Sequence, residues 1–479
     1  MNIFMTGSTG VIGRFAAAYF EGQGHTITAL VRDIEKAKNL LGYRVRLLGP
    51  TVTDEQLTQE LGKSHAVINL AGSPIATRWT NQKKKRFAES RIGVTQRLVR
   101  CLDQCETPPK VLLSASAVGF YGDCGDSILT EQSSKGQGFL SELCAAWEQE
   151  AKHIETKGIR VCLLRIGIVL SREGGILKAM APAFQMNFGG FFGSKQFVPW
   201  IHIKDLVRIM DRCLSDETLL GEINCTAPAP VRNKEFALCL QKVTNSRFLF
   251  PIPIVLVKPL LGEATVVLTQ SQQAIPEKLL GKGFKFFFPD LEQAIVAEFT
   301  TDNIAFTQFK NDSPDILELR GNFQVEKHGQ YQLTSTTVID RDISEVFPFF
   351  SSAENLGLLT PRWVDFRILE IPPFIGVGAM IKYRIGLWMI SIGWITRIVD
   401  WQPGKGFVDL QEKGPYRLWW HEHIFTVTPS GSVMMQDRVI YRIPFGFLGQ
   451  VVHRFIIKPT LLRIFKFRND MILFRFQNL

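Results

Sequence analysis

At 479 residues the chain is longer than one hydrophobic core ordinarily serves, so two or three domains are expected, and a composition of 46% hydrophobic and 21% charged residues excludes intrinsic disorder. The formal net charge of +10 names no partner, because phenylalanine and tryptophan sit in strand-like runs and no nucleic-acid-binding motif is legible. No apolar run has the length and purity of a membrane span, and residues 1–13 read as a strand and turn instead of a signal peptide, so a cytoplasmic location is the expectation.

The first element is an apolar strand that runs from Met1 to Thr6 into glycines spaced G-x-x-G-x-x-G. A dinucleotide pyrophosphate must approach backbone N–H groups at a helix N-terminus, and a β-carbon in that turn would block it. Gly7 makes the turn, Gly10 admits the phosphates and Gly13 lets the next helix pack on the strand. A helix over 14–20 and a strand over 25–31 supply the surrounding βαβ context, so Gly7, Ser8, Thr9, Gly10, Val11, Ile12 and Gly13 form the candidate cofactor-binding segment. Arg32 follows the second strand directly, and a guanidinium suits a ribose 2′-phosphate, which favours NADP(H). Asp33 keeps NAD open as the alternative.

The next strand, 66–72, ends in Asn69-Leu70-Ala71-Gly72 at the edge where such sheets bind ligand, which adds Leu70, Ala71 and Gly72 to the cofactor set. A basic helix over 83–100 and strands over 110–117 and 160–170 continue the alternation, which predicts a doubly wound parallel α/β sheet of the Rossmann type. Eight cysteines, all before residue 240 and without a C-x-x-C pair, read as reduced, unligated thiols.

The glycine spacing resembles that of the short-chain dehydrogenase/reductase superfamily. The segments Asn69 to Ile75, Arg78-Trp79-Thr80, Ser90-Arg91, Ser114 to Asp123 and Trp200 to Leu206 resemble its atypical, epimerase-like branch, whose members are labelled nucleoside-diphosphate-sugar epimerases or cell-division inhibitors. The resemblance covers about residues 1–298, with a small appended segment at 250–298, and implies hydride transfer between a nicotinamide cofactor and a small-molecule substrate. In the superfamily a tyrosine and a lysine four residues later handle the proton while a serine holds the substrate oxygen. Ser116 matches the serine, but the window Phe139 to Glu148 contains neither tyrosine nor lysine. The resemblance therefore leaves Ser116 and Tyr121 as the candidate catalytic pair. Glu142 and His202 weigh more as a solvated helix charge and a scaffold residue. The missing pair leaves two readings open, an oxidoreductase or epimerase and a non-catalytic, cofactor-binding redox sensor. The glycine- and aromatic-rich stretch 174–200 suits a substrate loop.

Periodicity fades after Thr300, so residues 299–325, with Asn311 to Asp315 among them, read as a linker. Tyr331 to Ile339 then alternates as a half-buried strand, and Asp342 with Glu345 three residues on opens a helix. Six strand-like runs follow between Phe366 and Arg442, and residues 446–476 read as one long helix. This order resembles the START-like (polyketide-cyclase or SRPBCC) helix-grip superfamily over 326–479. It implies an α+β domain around an apolar cavity, with a hydrophobic ligand and a lipid-handling role among its alternatives. Trp388, Trp394, Trp419 and Trp420 fill that core. His421 and His423 share one strand face; with no third ligand in view they read as paired surface histidines, and no metal is expected. From residue 444 on, six basic residues oppose Asp470 alone, which reads as a core helix with a solvated basic face, peripheral membrane contact being the alternative.

Overall fold

The computed structural model describes residues 1–309, 329–387 and 390–477. Its first unit is the expected parallel sheet, with strands β1 (Asn2–Thr6), β2 (Thr26–Leu30), β3 (Arg46–Leu48), β4 (Ala66–Asn69), β5 (Val111–Ala117), β6 (Arg160–Ile166) and β7 (Gly221–Cys225). They lie in the order β7-β6-β5-β4-β1-β2-β3. The strands are covered on both faces, which is why Ile3-Phe4-Met5, Ala66-Val67-Ile68 and Leu112-Leu113 are continuous apolar runs and all buried. The chain order reverses between β1 and β4, so the glycine turn after β1 and the Asn69–Gly72 segment after β4 meet at the switch point.

The helix after β1, α1 (Val11–Gly22), is apolar around its whole circumference, and such a helix needs cover on every side. One side lies on the sheet; the other lies on a helix more than 430 positions later in the chain, α5 (Lys458–Phe476). Phe15 meets Phe467 and Phe474 with ring centroids 6.1 and 4.7 Å apart. Arg14, wholly buried between the units, sends Nε to Leu40 O at 3.1 Å and Nη2 to within 2.8 Å of the carbonyls of Gly357, Leu358 and Thr360. Two further helices matter for the site: α2 (Ile34–Leu41), which follows β2, and α3 (Phe139–Lys152), which packs on β5 and β6.

The second unit is an eight-stranded antiparallel sheet built from β8 (Ile304–Gln308), β9 (Tyr331–Ile339), β10 (Arg367–Glu370), β11 (Met380–Leu387), β12 (Ile390–Gln402), β13 (Gly406–Lys413), β14 (Leu418–Val427) and β15 (Val433–Arg442). Its order is β8-β9-β15-β14-β13-β12-β11-β10. Alternation holds along β9, where Tyr331, Leu333, Ser335, Thr337 and Ile339 all turn inward. Leu461 and Phe465 of α5 close over Tyr331, Leu333, Val439 and Tyr441. The helix α4 (Ile343–Phe350) is capped by Asp342, which accepts from Ser344 N at 2.8 Å.

Two expectations change here. Part of the expected linker, Ile304–Gln308, is an edge strand paired with Tyr331–Ser335, because its alternating apolar residues complete the sheet; Asn311 to Asp315 lie outside the described residues. The C-terminal helix runs without a break over 446–476 as expected, with one π-helical turn at His453–Ile457. Four of its six basic residues are paired and not simply solvated: Arg475 pairs with Glu21, Arg463 sits 3.8 Å from Glu173, Lys466 holds Asp470 at 2.5 Å and Arg468 holds Asp437 at 2.8 Å, while Arg454 stays exposed. Cationic side chains on a helix wedged between two units need acidic partners from both. Of the tryptophans, Trp394, Trp419 and Trp420 are buried, and Trp388 lies outside the described residues. Among the described residues no helix is long and apolar enough to cross a membrane.

Candidate functional site

The glycine turn is forced by contact. Gly7 has φ +68°, and a β-carbon on it would stand 2.3 Å from Leu70 O; one on Gly13 would stand 2.3 Å from Gly7 O. Only glycine fits either place. Gly10 closes the turn by donating to Gly7 O at 2.9 Å. No side chain caps α1 and no acidic residue sits in its first turn, so its leading N–H groups face outward with their partial positive charge uncompensated. The Ser8 hydroxyl beside them is buried with no hydrogen-bond partner. An orphaned hydroxyl and an uncapped helix start, in a cradle that a β-carbon would fill, fit a phosphate group.

At the end of β2, Arg32 is exposed and has no hydrogen-bond or ion-pair partner among the described residues, whereas Asp33 is engaged as the cap of α2, accepting from Lys36 N at 2.9 Å. Across the turn, the buried Asn69 accepts from Thr6 Oγ1 at 2.6 Å and donates to Thr95 Oγ1 at 2.9 Å, which fixes the backbone of Leu70, Ala71 and Gly72. A π-helical turn at Glu89–Gly93 lets Ser90 and Arg91 hold that segment: Ser73 N donates to Ser90 Oγ at 3.0 Å, and Arg91 Nη2 donates to Ser73 O at 3.0 Å.

The catalytic candidates sit differently from expectation. Ser116, at the end of β5, is buried and donates to Glu148 Oε1 at 2.6 Å. Glu148 pairs in two-pronged fashion with Arg165, both bonds 2.9 Å. Tyr121 is fully buried; its hydroxyl donates to Asn224 Oδ1 at 2.6 Å and accepts from Arg165 Nη1 at 3.1 Å. Burial pushes its phenol up to about 12, opposite to the shift that a neighbouring lysine would give. Tyr121 thus sits in an interior network, without the open hydroxyl that proton donation to a substrate requires. Cys144 and Glu148, one helical turn apart on α3, both face Ser116, and burial pushes the Cys144 thiol up to about 12. Glu142 is exposed beside Lys135 at 2.6 Å. His202 accepts from Lys204 N at 3.1 Å and caps the helix Ile203–Ser215, so both serve the scaffold.

Sequence reasoning passed over Glu148, Arg165 and Asn224. A signal existed for Arg165, a charge inside the otherwise apolar run Val161-Cys162-Leu163-Leu164-Arg165-Ile166, which burial obliges to be paired.

Two openings adjoin these groups. A cleft of about 610 Å³ lies between Val11, Asp33, Lys36 and Lys178 of the first unit and Arg362 and Arg367 of the second. An apolar cavity of about 680 Å³ fills the second unit, lined by Ile381, Trp394, Phe407, Trp419, Leu461 and Phe465, and Thr360 and Phe366 border both spaces. His421 and His423, expected at the surface, are buried at the polar end of that cavity, because their strand face is the one α5 covers.

The model of the NAD dependent epimerase/dehydratase family matches residues 3–224, and that of a domain of unknown function, DUF1731, matches residues 252–298. A protein of Arabidopsis thaliana described as a chloroplastic homologue of epimerase family protein SDR39U1 is 37% identical over 301 residues, 62% of this chain and 86% of that protein. Epimerase family protein YfhF of Bacillus subtilis is 33% identical over 297 residues, 62% of this chain and 97% of that protein. A crystal structure of human epimerase family protein SDR39U1 (isoform 2) with NADPH aligns at TM-score 0.55 and 29% identity over 62% of this chain and 98% of that one.

Proposed function

Because this chain belongs to the NAD dependent epimerase/dehydratase family, we propose that its first unit binds NADP(H) and serves hydride transfer to or from a small molecule, while its second unit holds an apolar ligand. The observation that carries the cofactor reading is the partnerless Arg32 beside an Asp33 engaged as a cap. The N–H groups of Val11 and Ile12 and the Ser8 hydroxyl would hold the pyrophosphate, Arg32 the 2′-phosphate, and the Leu70–Gly72 backbone the adenosine end. NADPH in the human relative's structure supports the same choice. Bound nicotinamide supplies the hydride; the chain's own task is to orient the substrate, with Ser116 at the end of β5 the group nearest the superfamily's oxygen-holding position.

Arg32→Ala is expected to raise the Kd for NADPH about 10–100-fold, the value of one charge-assisted phosphate contact, with the Kd for NADH changed less than about twofold. Calorimetric titration of both cofactors checks this, and equal losses for the two would remove the 2′-phosphate role.

The buried hydroxyls of Ser116 and Tyr121 favour a second reading, cofactor occupancy without turnover. Under it, Ser116→Ala leaves NADPH binding and the cellular phenotype intact; under the first reading the same change lowers kcat by about 100-fold. For the second unit, the order of strand, helix, antiparallel strands and long helix, together with a cavity of about 680 Å³, supports a START-like helix-grip domain for a hydrophobic molecule. Thr360 and Phe366, bordering both cleft and cavity, give ligand and cofactor a common wall.

A further inference from the structure

We propose that Asp409, His421 and His423 bind one divalent transition-metal ion at the polar end of the apolar cavity. Strand register brings the groups together. Asp409 of β13 pairs opposite His421 of β14, His423 of β14 pairs opposite Asp437 of β15, and the period of two along β14 sets both imidazoles on the cavity face.

The side chains then converge. His423 Nε2 and His421 Nδ1 approach one and the same atom, Asp409 Oδ2, at 3.0 and 3.5 Å, and the three ligand atoms lie within 4.8 Å of one another. Ligand atoms about 2.0–2.1 Å from a tetrahedral ion stand about 3.3 Å apart, so both nitrogen–oxygen spacings match to within a few tenths of an ångström and the two imidazoles need only close on the ion. The other nitrogen of each ring is served by a single oxygen, Asp437 Oδ1, 3.1 Å from His421 Nε2 and 2.8 Å from His423 Nδ1. Arg468 on α5 steadies that carboxylate from 2.8 Å. A carboxylate behind each ligating histidine fixes its tautomer, as in histidine metal sites generally.

Two ring nitrogens and one carboxylate oxygen are thus aimed at a common point, with the ring centroids 3.9 Å apart. Two nitrogens and one carboxylate oxygen suit zinc, cobalt or iron and disfavour calcium and magnesium. All three ligands line the cavity, so the remaining coordination positions open toward it and suit an apolar molecule carrying an oxygen donor. This inference stands on the second unit alone and is independent of the cofactor reading.

The test uses untagged full-length protein, stripped with a chelator, reloaded separately with Zn²⁺, Co²⁺ and, anaerobically, Fe²⁺, desalted and assayed by inductively coupled plasma mass spectrometry. One ion per chain is expected with at least one of the three metals. His421→Ala and His423→Ala, each with an unchanged circular dichroism spectrum, should retain less than about a tenth of it, and Asp437→Asn should bind about 10–100-fold more weakly. Should those variants fail to fold, the visible spectrum of the Co²⁺-loaded wild type decides: bands of nitrogen and oxygen ligation are expected. An intense thiolate-to-cobalt band, failure of the wild type to retain any of the three ions, or equal metal in folded His421→Ala and wild type would overturn the proposal.

Discussion

Gly7→Val is expected to abolish NADP(H) binding and to lower the melting temperature by about 5 °C, an effect of about 3 kcal/mol on a unit of this size. Two costs act together. The backbone at Gly7 has φ +68°, which a β-branched residue adopts at a penalty of roughly 1–3 kcal/mol, and its β-carbon would stand 2.3 Å from the carbonyl oxygen of Leu70. That oxygen belongs to the segment held by Asn69, whose side chain bonds Thr6 and Thr95, so it has little freedom to retreat. Displacing the turn moves the N–H groups at the start of α1, and the phosphate cradle goes with them. Gly24→Ala is the control: φ is +80°, but nothing lies within 4 Å of the added carbon, so about 1 kcal/mol of destabilisation with full cofactor binding is expected. Calorimetric scanning and NADPH titration of both variants check this; retained NADPH affinity in Gly7→Val would exclude the turn as the phosphate site.

Glu148→Leu should be the more damaging change to stability, by about 3–5 kcal/mol in urea denaturation, because it strands a buried guanidinium. Arg165 gives Glu148 both of its 2.9 Å bonds; its other contacts are the Tyr121 hydroxyl at 3.1 Å, Glu131 O at 3.2 Å and, at 4.0 Å, the Glu222 carboxylate, which Lys152 already engages at 2.6 Å. Ser116 loses its acceptor in the same step. Removing both charges in Glu148→Leu/Arg165→Met should recover a good part of the loss, since an apolar pair of similar volume replaces an ion pair at little net cost. The signature is a double-mutant coupling of at least about 2 kcal/mol. Additive losses would mean that the two residues stabilise separate structures and that the network from Ser116 to Asn224 is not one unit.

Much of the fold was legible because its signals are local. The G-x-x-G-x-x-G turn, Asp342 as a cap and the period-two alternation of Tyr331 to Ile339 each report a constraint within a few residues, and each appears where expected. Most strands of both sheets followed from the same patterns, whereas the short edge strands Arg46–Leu48, Gly221–Cys225 and Ile304–Gln308 did not, because edge positions carry less periodic burial. What failed was judging side chains one at a time. His421-Glu422-His423 read as surface because its third and fourth partners, Asp409 and Asp437, lie 12 and more positions away on neighbouring strands. Tyr121 read as a candidate donor because the sequence does not reveal that Asn224 and Arg165 take up its hydroxyl. The basic C-terminal helix read as solvated because Glu21 and Glu173, its counter-charges, belong to the other unit.

By itself, then, the sequence determined a glycine turn of the nucleotide-binding kind, and a second unit of antiparallel strands with a long final helix, since backbone conformation and periodic burial are written into neighbouring residues. Only the tertiary structure decided which polar groups are spent and which are free. Whether a hydroxyl, imidazole or guanidinium can act depends on the partner that reaches it in the folded chain, and burial makes that partner obligatory. Packing α1 between the sheet and α5 closed the interior around Arg14, α3 on the sheet enclosed the Ser116 network, and α5 covered two histidines at a cavity, while Ser8 and Arg32 kept no partner among the described residues.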